Sequence, residues 1–316
     1  MVNELDNSNV IFIMGATATG KTDFAIEIAQ RFPVELISVD SALIYRDMDI
    51  GTAKPSPEVL SVTPHFLVDI IDPAQHYSAW DFVSDTNKLI KQITNRGNLP
   101  LLVGGTMMYF HALEQGLNHL PMADQSIRSQ LNSEAEVVGW PAMHQKLKTL
   151  DRVSSEKIKP NDSQRIQRAL EVFQISGQTL SSLLAIKNIN NNISATKFIL
   201  NTQDRQHLHK QIEQRFYLML QNGLVEEVEK LKARLDLDLN MPSMRCVGYR
   251  QVWQYLEDQL SYDEMIFKSI VATRQLAKRQ MTWLRKQPQK NNYDCLNLHP
   301  KKTKDAIFKK INSLFD

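Results

Sequence analysis

The sequence predicts an α/β fold in which a parallel β-sheet is flanked by helices and interrupted by an all-helical insertion. An apolar run at residues 10–14 is followed by a glycine-rich loop and then by a helical pattern at 23–31. Short apolar runs continue to alternate with helical patterns up to about residue 120, as in sheets built from strand–helix–strand units. From residue 121 to 192 the alternation stops, and only helical patterns remain.

Composition limits the classes of protein to consider. The chain has 316 residues, 42% hydrophobic and 23% charged, as expected for a globular protein of roughly two domains. The net charge of +2 excludes a generic polyanion binder, so any nucleic-acid site must come from local clusters. Cys246 and Cys295 offer neither a disulfide framework nor metal-ligand spacing. Residues 1–6 do not resemble a signal peptide, and no apolar run could span a membrane. We therefore expect a cytoplasmic monomer.

The glycine-rich loop matches the phosphate-binding pattern G-x-x-x-x-G-K-[ST], and it lies between a strand and a helix as that motif requires. Its members are Gly15, Ala16, Thr17, Ala18, Thr19, Gly20, Lys21 and Thr22. Backbone N–H groups and the positive end of the helix would hold a polyphosphate. Lys21 would reach a phosphate, and the Thr22 hydroxyl would bind Mg²⁺. The motif alone leaves open whether the ligand is a nucleotide or another diphosphate.

Asp40 directly follows the second predicted strand, residues 34–39. In an open parallel sheet the loops at the carboxyl ends of the strands face the same crevice, so Asp40 is expected beside the phosphate loop. A carboxylate is repelled by phosphates, which points to handling of a metal or a proton. The alternative is that Asp40 caps the following turn.

Two more strands and the helix between them complete this part of the chain. Residues 66–71 form a third strand candidate, and Ser78 with Asp81 forms a capping box for a helix that ends at 96–97. A fourth strand at 101–103 leads into two glycines and Thr106. The Thr106 hydroxyl could face the crevice, and it could equally cap a helix.

The insertion is predicted to contain helices at 124–132, 140–150, 162–175 and 180–186. Arg165 and Arg168 are three residues apart and share a face, which suits a nucleic-acid contact but equally a solvated surface. The expected domains are a first part of the core at 1–120, the helical insertion at 121–192, and the core continuation at 193–316.

The C-terminal part returns to strand at 197–201, followed by a helix that ends near 222–223 and a loop with a helix start at 241–250. The final long helix is expected at 264–286. Its basic stripe would fit an RNA backbone or a solvated exterior. This stripe consists of Arg274, Lys278 and Arg285, and the apolar stripe beside it of Ile266, Ile270, Ala277, Met281 and Leu284.

Together these segments resemble the bacterial tRNA dimethylallyltransferases, also called isopentenyl-tRNA transferases. The similar stretches follow in family order: the phosphate loop and residues 38–41, 49–55, 104–106, 160–165, 248–250 and 272–280. Ala16 and Thr19 stand where the family usually has proline and serine, and His65 is followed by Phe66 where a His-His pair is usual.

The resemblance implies transfer of a dimethylallyl group from dimethylallyl diphosphate to N6 of adenosine 37, next to the anticodon, in tRNAs reading codons that begin with U. Asp40 would be the general base, Thr106 would orient the reacting groups, Arg215 would add charge at the diphosphate, and Mg²⁺ would assist. The implied contacts with the anticodon stem-loop are Asp40, Ser41, Ala42, Leu43, Thr106, Arg128, Gln164, Arg165, Ile166, Gln167, Arg168, Arg245, Cys246, Val247, Gly248, Tyr249 and Arg250.

Three rival functions deserve tests. A small-molecule P-loop kinase would share the loop and the sheet, with Asp69 as a weak candidate for its metal-binding carboxylate. A nucleotide-gated RNA-binding protein would bind tRNA without modifying it. A prenyltransferase acting on free adenylate is a close relative, although a free nucleotide needs no helical insertion as a clamp.

Overall fold

The structure, a computed structural model, describes residues 8–186, 193–202, 204–288, 291–294 and 301–315. The N-terminal residues 1–6 and Cys295, on which two expectations rest, lie outside these ranges. The chain divides into two compact units, one of Met1–Glu114 with Asn191–Asp316 and the other of Gln115–Asn190. The expected domain bounds stay a prediction, because compactness alone does not show that a unit folds independently.

The first unit is built on a six-stranded sheet with the order β3-β2-β4-β1-β5-β6. All of its neighbouring strands pair in parallel, which confirms the predicted sheet. The strands are β1 (Ser8–Gly15), β2 (Val34–Val39), β3 (His65–Phe66), β4 (Leu99–Gly104), β5 (Ile193–Asn201) and β6 (Asn292–Asp294).

Helices make up most of the remaining described chain. They are α1 (Lys21–Ala29), α2 (Pro57–Val62), α3 (Ala79–Asn95), α4 (Met107–Gln115), α5 (Gln125–Val138), α6 (Trp140–Leu150), α7 (Arg152–Lys157), α8 (Ser163–Ser176), α9 (Leu180–Ala185), α10 (Arg205–Gln221), α11 (Leu224–Lys232), α12 (Tyr249–Leu256), α13 (Tyr262–Leu284) and α14 (Lys301–Asn312). Within the described ranges, no helix is both long and apolar enough to cross a bilayer.

Strand β1 shows why its sequence is continuously apolar. Phe12 and Met14 point to one face of the sheet, where they pack with residues of α3 and α4 such as Phe82 and Phe110. Ile11 and Ile13 point to the other face, which α1 and α14 cover. A strand buried on both faces needs apolar residues at every position, so the alternation of a one-sided strand is absent.

The predicted third strand is wrong beyond Phe66. Leu67 and Asp69 have φ angles of 62° and 56°, in the left-handed region that a continuing strand cannot use. The chain turns there instead, and the N–H groups of Asp69 and Ile70 donate to the carbonyls of Leu43 and Ile44. The run of apolar residues therefore serves a packed turn and not a sheet edge.

The predicted helix boundaries agree better with the structure than the predicted third strand does. The capping box at the start of α3 is confirmed, since Asp81 N–H donates to Ser78 Oγ at 3.2 Å and Ser78 N–H to the Asp81 carboxylate at 2.8 Å. The helix expected at 264–286 is α13, and most of its apolar stripe is buried. It is not the last helix, because α14 follows and packs Ile307 and Ile311 against the sheet.

The second unit has its own apolar core, and Glu171 is the more deeply buried of two carboxylates there, the other being Asp151. Glu171 on α8 is fully buried; it accepts hydrogen bonds from Arg128 Nε at 2.8 Å, Arg168 Nη1 at 2.6 Å and the N–H of Asp124 at 2.9 Å. Burial alone would raise the pKa of Glu171, but these hydrogen bonds outweigh it and lower the pKa below its usual value. Glu171 therefore stays charged and ties α5 to α8.

Replacing Glu171 with Ala should lower the free energy of unfolding by roughly 2–4 kcal/mol, because Arg128, Arg168 and the Asp124 N–H all lose their acceptor. The loss is measured by urea unfolding together with hydrogen exchange of peptides from 115–186. Glu134→Ala is the matched control, since Glu134 forms an exposed pair with Lys146 on the same unit, and about 0.5 kcal/mol or less is expected. Equal effects of the two changes would contradict a structural role of Glu171.

Candidate functional site

The carboxyl ends of β1, β2 and β4 meet at one edge of the sheet. Strand β4 lies between the other two, and its Gly104 is in register with Met14 of β1 and Val39 of β2. A Cβ atom on Gly104 would lie 2.0 Å from the Val39 carbonyl oxygen, so the close approach requires glycine. This approach lets Thr106 N–H donate to the same carbonyl at 3.1 Å.

A cavity of about 560 Å³ opens at this edge. Its wall combines the phosphate loop, the ends of β2 and β4, and residues from α10, α13 and the loop before α12. The polar groups on it include Lys21, Thr22, Asp40, Ser41, Thr106, Arg215, Arg245, Cys246 and Gln280. The cavity therefore brings together, within the first unit, groups that are far apart in the sequence.

Lys21 is the principal cation of the phosphate loop. Its Nζ donates to the Ala16 carbonyl at 3.3 Å, a long contact that leaves the ammonium largely uncompensated. Burial lowers the pKa of Lys21 to about 8; Asp40 acts to raise it, and Arg215 lowers it further. An anion placed in the loop would replace the lost solvation, so the site is built for negative charge.

Asp40 and Thr106 lie side by side at the cavity wall. One carboxylate oxygen of Asp40 accepts the N–H of Ala42 at 2.9 Å, and the Thr106 hydroxyl oxygen accepts the N–H of Ser41 at 3.1 Å. The turn that Asp40 was alternatively expected to cap is therefore real. Because only one carboxylate oxygen is used in that contact, capping leaves the other oxygen of Asp40 for chemistry.

Arg215 on α10 is a second cation of the cavity. Among the described residues, its guanidinium makes hydrogen bonds of 3.5 Å only, to Thr17 Oγ1 and to the Thr52 carbonyl. Burial lowers the pKa of Arg215, whereas Asp40 and Asp23 act to raise it. The donors of the guanidinium group could therefore bind an oxyanion, and the role in diphosphate binding that the family resemblance implies for Arg215 stays a prediction.

The loop after β2 is held by a network of hydrogen bonds and ion pairs around Glu227 and Lys54. The Glu227 carboxylate accepts the N–H groups of Asp49, Ile50 and Gly51 at 2.8–3.2 Å and the Tyr249 hydroxyl at 2.5 Å. Lys54 adds a tie through its ion pairs with Asp49 and Asp69. These contacts set the position of Gly51 and Thr52, which form part of the cavity wall.

The residues expected to contact tRNA fall into four groups: those that line the cavity, those that are exposed elsewhere, those engaged in other contacts, and two that are fully buried. Those at 40–43, 245–248 and Thr106 line the cavity, and Arg250 is exposed. Gln164 and Arg165 are exposed on the second unit, where Gln167 is engaged with Asn132 and the arginines 128 and 168 hold Glu171.

Two of these residues need correction. The side chains of Ile166 and Tyr249 are fully buried. Ile166 belongs to the core of the second unit, and the Tyr249 hydroxyl donates to Glu227. A contact between RNA and either side chain is therefore wrong; both support their neighbours from below the surface.

Several residues of the site have roles that the sequence did not predict, although Gln280 lies in the stretch 272–280 that resembles the family. Glu227 lies on α11, a helix that the sequence did not predict. Its carboxylate holds the loop at 49–51, which lies 176–178 residues earlier in the chain. Gln280 accepts the N–H of Thr17 and donates to the Gly105 carbonyl, both at 2.9 Å. Trp283 borders the cavity while remaining partly exposed.

The kinase alternative finds no support in the geometry. Asp69, its candidate metal ligand, forms an ion pair with Lys54 and is not part of the cavity wall. Among the described residues, no group of three or more His, Cys, Asp or Glu side chains could hold a metal ion by themselves. A metal at this site would depend on oxygen atoms supplied by a ligand.

The chain is similar to a known protein family and to its members. The model of the IPP transferase family matches residues 43–287. The tRNA dimethylallyltransferase of Paraburkholderia xenovorans (strain LB400) is 54% identical over 291 residues, which cover 91% of this chain and 92% of that protein.

Solved structures agree. The full-length tRNA isopentenylpyrophosphate transferase of Bacillus halodurans superposes with a TM-score of 0.70 at 32% identity, covering 98% of this chain and 97% of that one. The tRNA delta(2)-isopentenylpyrophosphate transferase of Staphylococcus epidermidis gives 0.69 at 30% identity, covering 97% and 100%. A eukaryotic dimethylallyltransferase, captured acting on tRNA, shares the fold, with a TM-score of 0.78 at 24% identity over 95% of this chain and 77% of that chain. The resemblance seen in the sequence is thereby confirmed: this chain belongs to the IPP transferase family.

Proposed function

We propose that the protein transfers a dimethylallyl group from dimethylallyl diphosphate to N6 of adenosine 37, next to the anticodon of tRNA. The observation that carries this proposal is the placement of Asp40 beside the cations Lys21 and Arg215 in one cavity. A base and a diphosphate site must be adjacent for this reaction, since the amine attacks the carbon from which the diphosphate leaves.

The residues fit each part of the bond change. A bond forms between N6 of the adenine and C1 of the prenyl group as the bond from C1 to the diphosphate oxygen breaks. The proton leaves N6 for the Asp40 carboxylate, a contribution of about 10²–10⁴-fold for a positioned base. The negative charge that grows on the leaving oxygen is stabilised by loop N–H groups, Lys21 and Arg215. The Thr106 hydroxyl, beside Asp40, orients the amine.

We further propose that Mg²⁺ serves as the cofactor. The Thr22 hydroxyl lines the cavity at the start of α1 and is an oxygen ligand of the kind that Mg²⁺ prefers. Phosphate oxygens and water would complete the coordination, which agrees with the lack of a protein-only ligand cluster in the described chain. When bound, the ion would neutralise charge on the diphosphate.

The target base must leave its stack to enter such a cavity, at a cost of a few kcal/mol. Contacts around an unpaired loop would offset this cost, and the exposed residues Gln164, Arg165, Arg245 and Arg250 are the candidates. We propose the anticodon stem-loop as the partner, codons beginning with U as the set served, and a cytoplasmic monomer as the working form.

Asp40→Asn should reduce the rate of prenyl transfer about 10²–10⁴-fold while leaving the affinities for tRNA and diphosphate near those of the wild type, because the amide keeps the shape and loses the base. The measurement is mass analysis of tRNA nucleosides after incubation with dimethylallyl diphosphate.

Three outcomes would contradict the proposal. An unchanged rate in Asp40→Asn would remove Asp40 as the base. Rapid ATP turnover by the wild type without tRNA would favour the kinase. Binding of tRNA by the wild type without any mass gain on adenosine would favour an RNA-binding protein.

The pKa of Lys21, about 8, predicts a pH dependence of diphosphate binding. Only the charged ammonium attracts the diphosphate, so wild-type affinity should fall as the pH rises through 8, whereas Lys21→Arg stays charged throughout. Between pH 7 and 9.5 the affinity of the wild type relative to Lys21→Arg should drop by roughly tenfold. Titration calorimetry with inorganic diphosphate measures both proteins. Because both see the same ligand, its own titration cancels in the ratio, and a constant ratio would refute the assignment.

A further inference from the structure

Gln280 is the one residue of α13 whose side chain, among the contacts described, joins the phosphate loop to the end of β4. Its Oε1 accepts the N–H of Thr17 at 2.9 Å, and its Nε2 donates to the Gly105 carbonyl at 2.9 Å. The partners determine the orientation of the amide, because a flipped side chain would face a donor with a donor and an acceptor with an acceptor. Both the oxygen and the nitrogen of the Gln280 side-chain amide are therefore hydrogen-bonded.

The two segments that Gln280 connects carry different parts of the proposed chemistry. Thr17 belongs to the loop that would hold the diphosphate. Gly105 directly precedes Thr106, whose hydroxyl accepts the N–H of Ser41, the residue after Asp40. A continuous path of hydrogen bonds and short chain segments thus runs from the phosphate loop through Gln280 to the base.

We propose that Gln280 is a positioning residue that fixes the distance between the diphosphate and the Asp40–Thr106 pair. This inference rests on the proposed function. Gln280 need not touch the reacting atoms: it acts through Thr17 and Gly105. The contact matters because transfer requires the leaving group and the amine on opposite sides of one carbon, and a misplacement of about 1 Å can cost 10²-fold in rate.

The surroundings of Gly105 show that the Gln280 amide packs closely against this residue. A Cβ atom added at Gly105 would lie 2.5 Å from Gln280 Nε2 and 3.3 Å from the Gly15 carbonyl. The amide of Gln280 therefore fills the space that a side chain at position 105 would occupy. Gly105→Ala should displace the amide and disturb the same bridge from its other end.

The primary test compares Gln280→Ala with Gln275→Ala, an exposed glutamine on the same helix. Gln280→Ala should lower kcat for prenyl transfer roughly 10²-fold and leave the Kd for inorganic diphosphate within about threefold, since the loop amides and Lys21 remain. Hydrogen exchange of residues 15–19 should become faster, because Thr17 N–H loses its acceptor. Gln275→Ala should match the wild type in all three measurements.

Gln280→Glu supplies a readout that general destabilisation would not give. An ionised carboxylate can still accept from Thr17 but repels the Gly105 carbonyl, whereas a protonated carboxyl can donate to it. Relative to wild type at each pH, this variant should be impaired at pH 8 and recover part of its kcat towards pH 6. Gly105→Ala should show a loss of kcat that does not depend on pH.

Two results would overturn the proposal: a kcat of Gln280→Ala within twofold of wild type, or a fall in diphosphate affinity as large as the fall in kcat. If the wild type transfers no prenyl group, the proposed function fails, and the exchange measurement then decides the bridge separately. Unchanged exchange at residues 15–19 in Gln280→Ala would show that the bridge does not hold the loop.

Discussion

The site depends on the close approach of β4 to β2 at Gly104. Parallel strands present their carboxyl ends at one edge, but an edge alone leaves the following loops free to diverge. With a hydrogen at the position of a side chain, Gly104 lets the backbone of β4 pass against the Val39 carbonyl. The Thr106 turn is thereby held next to Asp40 and Ser41. The phosphate loop follows β1, the strand on the other side of β4. This packing of backbone on backbone forms the part of the cavity wall that the ends of β2 and β4 contribute.

In the described ranges, several charged side chains outside the cavity form close ion pairs, whereas two cations on the cavity wall do not. Arg234 is paired with Asp72 and Asp236, Arg96 with Glu35, and Lys54 with Asp49 and Asp69. Within the part of the chain that the structure describes, Lys21 and Arg215 make only long hydrogen bonds, and Asp40 is the carboxylate that raises the pKa of both. Partly buried cations without a close anionic partner are costly without a ligand, so the presence of both in one cavity indicates a site prepared for an anion.

Local patterns explain what the sequence could and could not predict. The phosphate loop, β2, the capping box at Ser78 and the apolar stripe of α13 each depend on residues close together in the chain, and all were predictable. The strand expected after Phe66 failed because left-handed residues at 67 and 69 turn the chain, and apolar content does not reveal that. The roles of Glu227 and Gln280 were not predicted for another reason: each acts on a loop that is distant in sequence, and no local pattern encodes such a partner. Ile166 and Tyr249 match the family pattern, yet a motif cannot distinguish a contact from a support beneath it.

The bridge made by Gln280 also has a consequence for synthesis on the ribosome. Both of its partners are made earlier, since the glutamine lies 263 residues after Thr17 and 175 residues after Gly105. At elongation rates of about 5–20 residues per second, roughly 10–50 s pass between the synthesis of Thr17 and that of Gln280, and roughly 10–35 s between Gly105 and Gln280. During that interval the phosphate loop and the Thr106 turn exist without the group that joins them, while the helical unit at 115–190 is completed. A nascent chain therefore contains all residues of its helical unit before it can form a finished cavity, and the bridge between the two loops forms only when the last part of α13 has been made.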